Sequence, residues 1–336
     1  MRGGKRGWST RDSAAAVEGV SGVGAPTFFS GPEQVAAARA NQQREIVDFF
    51  NGYQHEGERP THFETGAGFA LAGTTARNAY LGHRAKAVNV RDAIWWRIVP
   101  DDGPLLTLPL PLLVELRDGT WAGAAALPNF VATFTVNEGR VVSLIYRGMY
   151  SPEVDRGTEN AVAHLRAGAL ATDAAYDFAA NLRDAKEQDP VQGVLAAYIY
   201  DAQGDVESVR RTAFYLWCAG IPIPFDIAML ARLRPTWMVP GVMVVDIPAT
   251  EQRQPRSEKE RTRSWTFEAT SRVERAVVAG IFPWLRQGWA LLEGGDDPWS
   301  LILPQLSEIQ KELLPTPFTT LTPHGGEFLR EIFRRL

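Results

Sequence analysis

The sequence predicts an α+β protein: a small antiparallel β-meander or partial barrel followed by an α-helical bundle that contains a helical-repeat-like hairpin. Three observations lead there. Apolar residues alternate with a period of two before about Tyr150, turn signals such as Asp118-Gly119 separate those runs, and after Ser151-Pro152 the apolar period becomes helical. Length and composition agree, since 336 residues with 45% apolar content are enough for a sizeable core.

Residues 1–31 are rich in Gly, Ser, Ala and Arg without an apolar period, and read as a flexible tail. Residues 32–150 read as a helix plus an antiparallel β domain. Gly31-Pro32-Glu33 opens the helix, Val35, Ala38, Ile46, Phe49 and Phe50 fall near a 3.6 period, and Gly52 suits its end. Ala87 to Val99, with Val88, Val90, Ile94, Trp95, Trp96 and Ile98, favours a half-buried strand. Leu112–Leu116 and Trp121–Leu127 flank Asp118-Gly119, where Gly accepts a positive φ without steric cost. Phe130, Ala132, Phe134 and Val136 alternate with their neighbours, and Asn137-Glu138-Gly139 turns the chain into Val141–Tyr146.

Residues 151–336 read as the α-helical domain. Ala175, Phe178, Leu182 and Ala185 form one stripe on a helix capped near Thr172 or Asp173. Asp189-Pro190 starts the next helix, which Gly204 closes, and Asp205 caps another carrying Val206, Val209, Ala213, Leu216 and Trp217. Two short helices joined by a Gly-Asp turn make one helical hairpin, and no second copy follows at a fixed period. Another helix is expected over Phe225–Leu233. Residues 248–264 hold five Arg/Lys against three Glu and read as a mobile polar loop. Val273–Leu292 reads as an apolar helix kinked or split at Pro283, and Glu327–Leu336 as the last helix after His324-Gly325-Gly326.

The formal net charge of −4 gives no global attraction to nucleic acid or to an anionic membrane. Trp237–Val245, among the longest apolar stretches, is broken by Pro240 and Gly241, well short of the ~18 residues of a spanning helix. The basic start has no apolar segment behind it, so a cytoplasmic protein is expected. One cysteine excludes a disulfide framework and a Cys-based zinc site.

Catalytic, cofactor and metal residues are all assigned as none. Cys218 follows an apolar stretch near a helix C-terminus, where the helix dipole disfavours a thiolate, and reads as a buried structural residue. His55, His62, His83, His164 and His324 show no metalloprotease spacing. His62 and Glu64 would share one side of a strand, without a visible third partner. Nucleophile-elbow and phosphate-cradling glycine motifs are absent, so no cofactor is expected.

Three sets of strings nevertheless occur in a familiar order. Asp48-Phe49-Phe50, Thr61–Phe69, Leu113–Gly119 and Ala124–Val131 come first. Asp189–Tyr200 and Pro224–Leu230 follow, then Pro283–Leu292 and Pro317–Pro323. Together, over roughly residues 35–336, they resemble the non-catalytic region that follows the peptidase domain in some bacterial caspase-like and trypsin-like proteins. The resemblance implies strands followed by helices, and association with a peptidase in bacterial defence or programmed death. This chain departs from the pattern: no peptidase domain fits before residue 35, and no Cys/His or Ser/His/Asp set replaces it.

The leading expectation is therefore a non-catalytic interaction module. Its partner would be a separate protein, a caspase-like or trypsin-like peptidase or a defence effector, for which it serves as adaptor, regulator or cleavage substrate. Arg253, Arg256, Arg261 and Arg263 in the polar loop would suit an Arg-preferring protease. One alternative is an enzyme of unrecognised type, with a site at the sheet–helix junction involving His62, Glu64 or His164. The second alternative is a structural or oligomer-forming protein with tryptophans on an exposed patch.

Overall fold

Turn chemistry decides where the first strands end. The structure, a computed structural model, describes residues 66–148, Thr158, Val162, 172–256, 258–262, 267–292 and 298–336. The expected tail 1–31, the helix beginning at Pro32, His55, His62, Glu64, the Ser151-Pro152 boundary, His164 and Arg263 lie outside the described residues.

Eight strands come first: β1 (Ala67–Ala72), β2 (Ala76–Tyr80), β3 (Ala85–Arg91), β4 (Trp95–Pro100), β5 (Leu110–Leu116), β6 (Trp121–Ala126), β7 (Phe130–Asn137) and β8 (Arg140–Gly148). Asp118-Gly119 joins β5 to β6 as its dipeptide predicts, with Asp118 Oδ1 accepting from the Thr120 amide at 3.0 Å and its hydroxyl at 2.7 Å. Glu138 and Gly139, both at positive φ, join β7 to β8. The expected single strand Ala87–Val99 is instead a hairpin, because Asp92 and Ala93 turn the chain at φ 51° and 55°. Asn89 Oδ1 holds the Ala93 amide at 3.2 Å, and the Ala93 carbonyl accepts from Trp96 Nε1 at 3.0 Å. Those bonds offset the strain of two left-handed residues without a glycine.

Helices and short strands follow in chain order. They are α1 (Thr172–Asp184), α2 (Pro190–Ala202), α3 (Val206–Cys218), β9 (Ile223–Pro224), α4 (Phe225–Leu230), β10 (Thr236–Val239), β11 (Val242–Ile247), α5 (Glu258–Arg261), β12 (Val273–Ala279), α6 (Arg286–Trp289), α7 (Leu306–Lys311), β13 (Thr320–Leu321) and α8 (Pro323–Phe333). Asp189 and Asp205 cap α2 and α3 as expected, accepting from Val191 and Ser208 amides at 3.1 Å each.

Mixed α+β architecture is thus the observed class, but the arrangement corrects two details. The strands form no single meander. They divide into a five-stranded sheet ordered β3-β4-β1-β7-β8 and four-stranded sheets ordered β13-β6-β5-β2 and β10-β11-β12-β9. Within the first, β1 lies parallel to β7, a pairing between distant stretches that no hairpin signal announces. Among the described residues the second half is not purely helical either. Val273–Ala279, expected as helix, is a strand pairing with β11 and β9, and only Arg286–Trp289 of that stretch is helical. Valines at 273, 277 and 278 face β-branched and sulfur-bearing partners across the ladder, which outweighs helical spacing.

One apolar cluster takes in residues on both sides of position 151, from Ala67 to Phe333, within a single compact unit, Val47–Leu336. In its first sheet Phe69 stacks on Trp96 at 5.7 Å and meets Phe134 edge-on at 6.4 Å. Every residue of β6 is buried, and its alanines and Gly123 leave room for Phe282 and Thr319 against the sheet. Among the described residues no helix is long and apolar enough to cross a membrane.

The last helix starts four residues earlier than expected, at Pro323, with Thr322 Oγ1 accepting from the Gly325 amide at 3.2 Å. Gly326 is therefore inside a helix, where it lowers propensity. Packing explains it: a Cβ there would lie 2.0 Å from Cγ of Trp121, an indole only 2% exposed. Gly326→Ala is expected to lower stability by about 1–3 kcal/mol through overpacking. Urea titration checks it, the midpoint falling at unchanged m-value.

Candidate functional site

Chemistry-bearing groups gather in three places. The first is Asp226, in the opening turn of α4 and fully buried. Its Oδ1 accepts from the Tyr198 hydroxyl at 2.7 Å and the Leu285 amide at 3.2 Å, and its Oδ2 from the Trp284 amide at 2.7 Å. Burial pushes its carboxyl up to about 6, and the three donors pull against that rise. No cation faces it among these bonds, so the geometry is that of a brace joining α2, α4 and the chain after β12. The same burial raises the Tyr198 phenol well above its ordinary value, with the Asp226 charge adding to it.

A second centre lies under residues 250–262, within the stretch 248–264 expected to be a mobile loop. Paired backbone and hydroxyl bonds between Thr250 and Thr270, with the Arg253 amide on the Phe267 carbonyl at 2.9 Å, close this segment into a strap. Glu260 on α5 is fully buried and takes both terminal nitrogens of Arg253 at 2.7 Å, plus the Arg256 amide at 2.8 Å. Burial raises the Glu260 carboxyl, but those bonds outweigh it and hold the group below its ordinary value. Arg256 pairs with Asp205 at the start of α3 and donates to the Tyr176 hydroxyl at 2.7 Å. Arg211 of α3, also fully buried, donates to the Glu251 and Glu268 carbonyls and pairs with Glu207 at 3.4 Å.

That arrangement gives the polar segment inward bonds as well as exposed arginines. Arg253 is 11% exposed and tied to Glu260, whereas Arg261 is 69% exposed and pairs with Glu258 at 3.4 Å. A charged segment becomes structural here because each inward guanidinium meets a carboxylate or a carbonyl.

The third place is the open side of β10. This strand ends its sheet, pairing with β11 alone among the described strands, and Trp237 on it is 48% exposed. Arg232, Arg234 and Thr236 beside it are exposed too.

Of the residues weighed from sequence, His62, Glu64 and His164 lie outside the described residues. Cys218 ends α3 as expected but is half-buried rather than buried. His83 Nε2 lies 2.6 Å from the Arg334 carbonyl, and His324 stacks edge-on with Phe328, so the two are far from forming one cluster. Among the described residues no three His, Cys, Asp or Glu side chains gather as metal ligands would. Sequence reasoning missed Asp226, although an aspartate inside the apolar run Phe225–Leu230 is itself a signal of a buried, bonded carboxylate.

Set against family models, curated proteins and solved structures, the chain matches none. The fold and these centres define an α+β protein whose inner charges brace its elements.

Two substitutions probe those braces. Asp226→Asn sets an amide donor against backbone N–H groups and is expected to lower stability at pH 7 by about 2 kcal/mol. Folded Asp226 titrates near 6, above the unfolded value of about 3.9. Wild-type stability from this group is therefore full below about pH 4 and is lost as pH rises to 6. Urea midpoints measured across that window should show the slope in wild type and its loss in the variant. Glu260→Gln, which leaves Arg253 buried without its counter-charge, is expected to lower stability by about 3–5 kcal/mol, read by the same titration at pH 7.

Proposed function

We propose that this chain is a non-catalytic protein-interaction module that docks a separate protein through the open edge of β10. The observation that carries the reading is Trp237, 48% exposed on a strand whose outer side pairs with no described strand. An unpaired edge offers backbone N–H and C=O groups to an incoming extended segment, and a half-exposed indole beside it supplies apolar contact. Tryptophan is among the residues that most often dominate binding energy. Exposed Arg232 and Arg234 next to the edge favour an acidic segment.

The resemblance over residues 35–336 names the class of partner: a caspase-like or trypsin-like peptidase of a bacterial defence system, encoded separately. In that role the chain is an adaptor or regulator rather than a cleavage substrate at Arg253 or Arg256, because both of those arginines are engaged in ion pairs.

Titration calorimetry of the purified chain against the peptidase encoded nearest its gene tests this. Binding is expected, with Trp237→Ala weakening it about tenfold or more at unchanged melting temperature. Leu301→Ala, at a side chain 71% exposed elsewhere, should leave the affinity unchanged. Absence of binding, or equal affinity for wild type and Trp237→Ala, overturns the assignment to this edge.

A further inference from the structure

An arginine guanidinium carries five N–H donors, no acceptor, and a charge that it keeps at any ordinary pH. Burying one therefore demands acceptors. Around the strap, three guanidinium groups find them: Arg211 with Glu207, Arg253 with Glu260, and Arg256 with Asp205. Arg183, near the end of α1, does not. Its side chain is 1% exposed, yet neither Nη1 nor Nη2 has a hydrogen-bond partner. Asp177 and Asp184 flank this face of α1, about 100° round the helix from Tyr176 and Arg183, and neither bonds those nitrogens.

Arg183 is not the only orphan in this layer. Its guanidinium carbon lies 5.7 Å from the ring of Tyr200 on α2, and the fully buried Tyr200 hydroxyl is unpartnered as well. Arg253 contributes a third unpartnered group, its Nε, from the strap side. Tyr176 links the two walls, 6.2 Å from Tyr200 and 5.2 Å beneath the Arg256 guanidinium. Charge from Arg183 and from Arg253 reaches both Tyr200 and Glu260. Arg183, Tyr200 and Arg253 can all donate here, and two of the three are cations; Asp177 Oδ1, on the adjoining side of α1, is a buried acceptor without a hydrogen-bond partner.

We propose that the layer between α1, α2 and the strap binds a small oxyanion of phosphate or sulfate type, held by Arg183 Nη1 and Nη2, the Tyr200 hydroxyl and Arg253 Nε. A tetrahedral oxyanion supplies several acceptors at once and takes a guanidinium in two-pronged fashion. Arg183 and Tyr200 are essentially sealed, while Arg256, 37% exposed, and the partly exposed Tyr176 and Arg253 reach toward the surface. With Arg183 and Tyr200 sealed, these donors suit a small ion rather than a nucleotide or a peptide. Bound in this way the ion cross-links the strap to two helices, independently of any docking at β10.

Thermal unfolding in inorganic phosphate against chloride at matched ionic strength tests it, together with the rate at which trypsin cuts the strap. Phosphate is expected to raise the midpoint of the wild type and to slow cleavage at Arg261. Arg183→Met, which keeps the stem and removes the charge, should lose both responses and melt no lower than wild type in chloride. Tyr200→Phe, removing one donor, should weaken half-saturation by phosphate several-fold, and it carries the test if Arg183→Met fails to fold. A nucleoside monophosphate at equal concentration should have no effect. Identical behaviour in phosphate and chloride, meaning that water alone fills the layer, overturns the proposal. So does a phosphate response that survives in Arg183→Met, or an equal response to the nucleotide.

Discussion

Asp189 is the residue on which the joining of sheets to helices depends. Its carboxylate caps α2, accepts the Tyr146 amide of β8 at 3.0 Å, and takes the Thr158 hydroxyl at 2.6 Å. Tyr146 in turn crosses from the five-stranded sheet to the next one. Its hydroxyl donates to the Ala125 carbonyl of β6 at 2.6 Å, accepts from the Ala125 amide at 3.2 Å, and the ring packs on Trp284 at 5.0 Å. Trp284 reaches Asp226 through its amide, and Asp226 returns to α2 through Tyr198. Two buried aspartates, two tyrosines and one tryptophan thus close a circuit that fixes both sheets against α2 and α4. Burial raises the Tyr146 phenol far above its ordinary value, so it stays a protonated donor and the circuit keeps its direction.

Local chemistry made part of this fold legible. Asp118-Gly119 and Asn137-Glu138-Gly139 place β5–β8 because a turn dipeptide acts over a few residues, and Asp189 and Asp205 place two helix starts for the same reason. What escaped is non-local. Asp92-Ala93 carries no glycine, and its turn exists only because Asn89 and Trp96 hold it from the flanking strands. The valines of Val273–Ala279 fit a helix by spacing, and only β11 and β9 on either side decide for a strand. Gly325 and Gly326 read as a helix boundary until Glu312 and Trp121 are brought against them.

The candidate centres were less legible than the fold, for a related reason. Residues 248–264 have the composition of a solvated loop, and composition does not reveal that Glu260 turns inward to meet Arg253. Tyr198 and Tyr200 offered a better clue. They sit in a helix that is apolar and buried on every side, where a hydroxyl needs a partner brought from elsewhere. For Tyr198 that partner is Asp226, whereas Tyr200 shares its unmet layer with Arg183.

The two buried acids also place this protein's inner charge in opposite regimes. Asp226 is bonded by neutral donors alone, and its raised titration makes the fold less stable as pH climbs from 4 to 6. Glu260 is held by a guanidinium and titrates below its ordinary value, so it adds stability above that value and loses it as pH falls through the lowered one. Acidification therefore strengthens the junction of sheets and helices while it loosens the strap. The strap is joined to α1 and α3 mainly by Arg256, Arg253 and Arg211, and each of these bonds ends on a carboxylate, a hydroxyl or a carbonyl. Protonating Glu260 neutralises the carboxylate that Arg253 grips and leaves that guanidinium in the same layer as Arg183, whose two terminal nitrogens already lack hydrogen bonds. Local opening under acid should accordingly begin at the strap, well before the aspartate circuit yields.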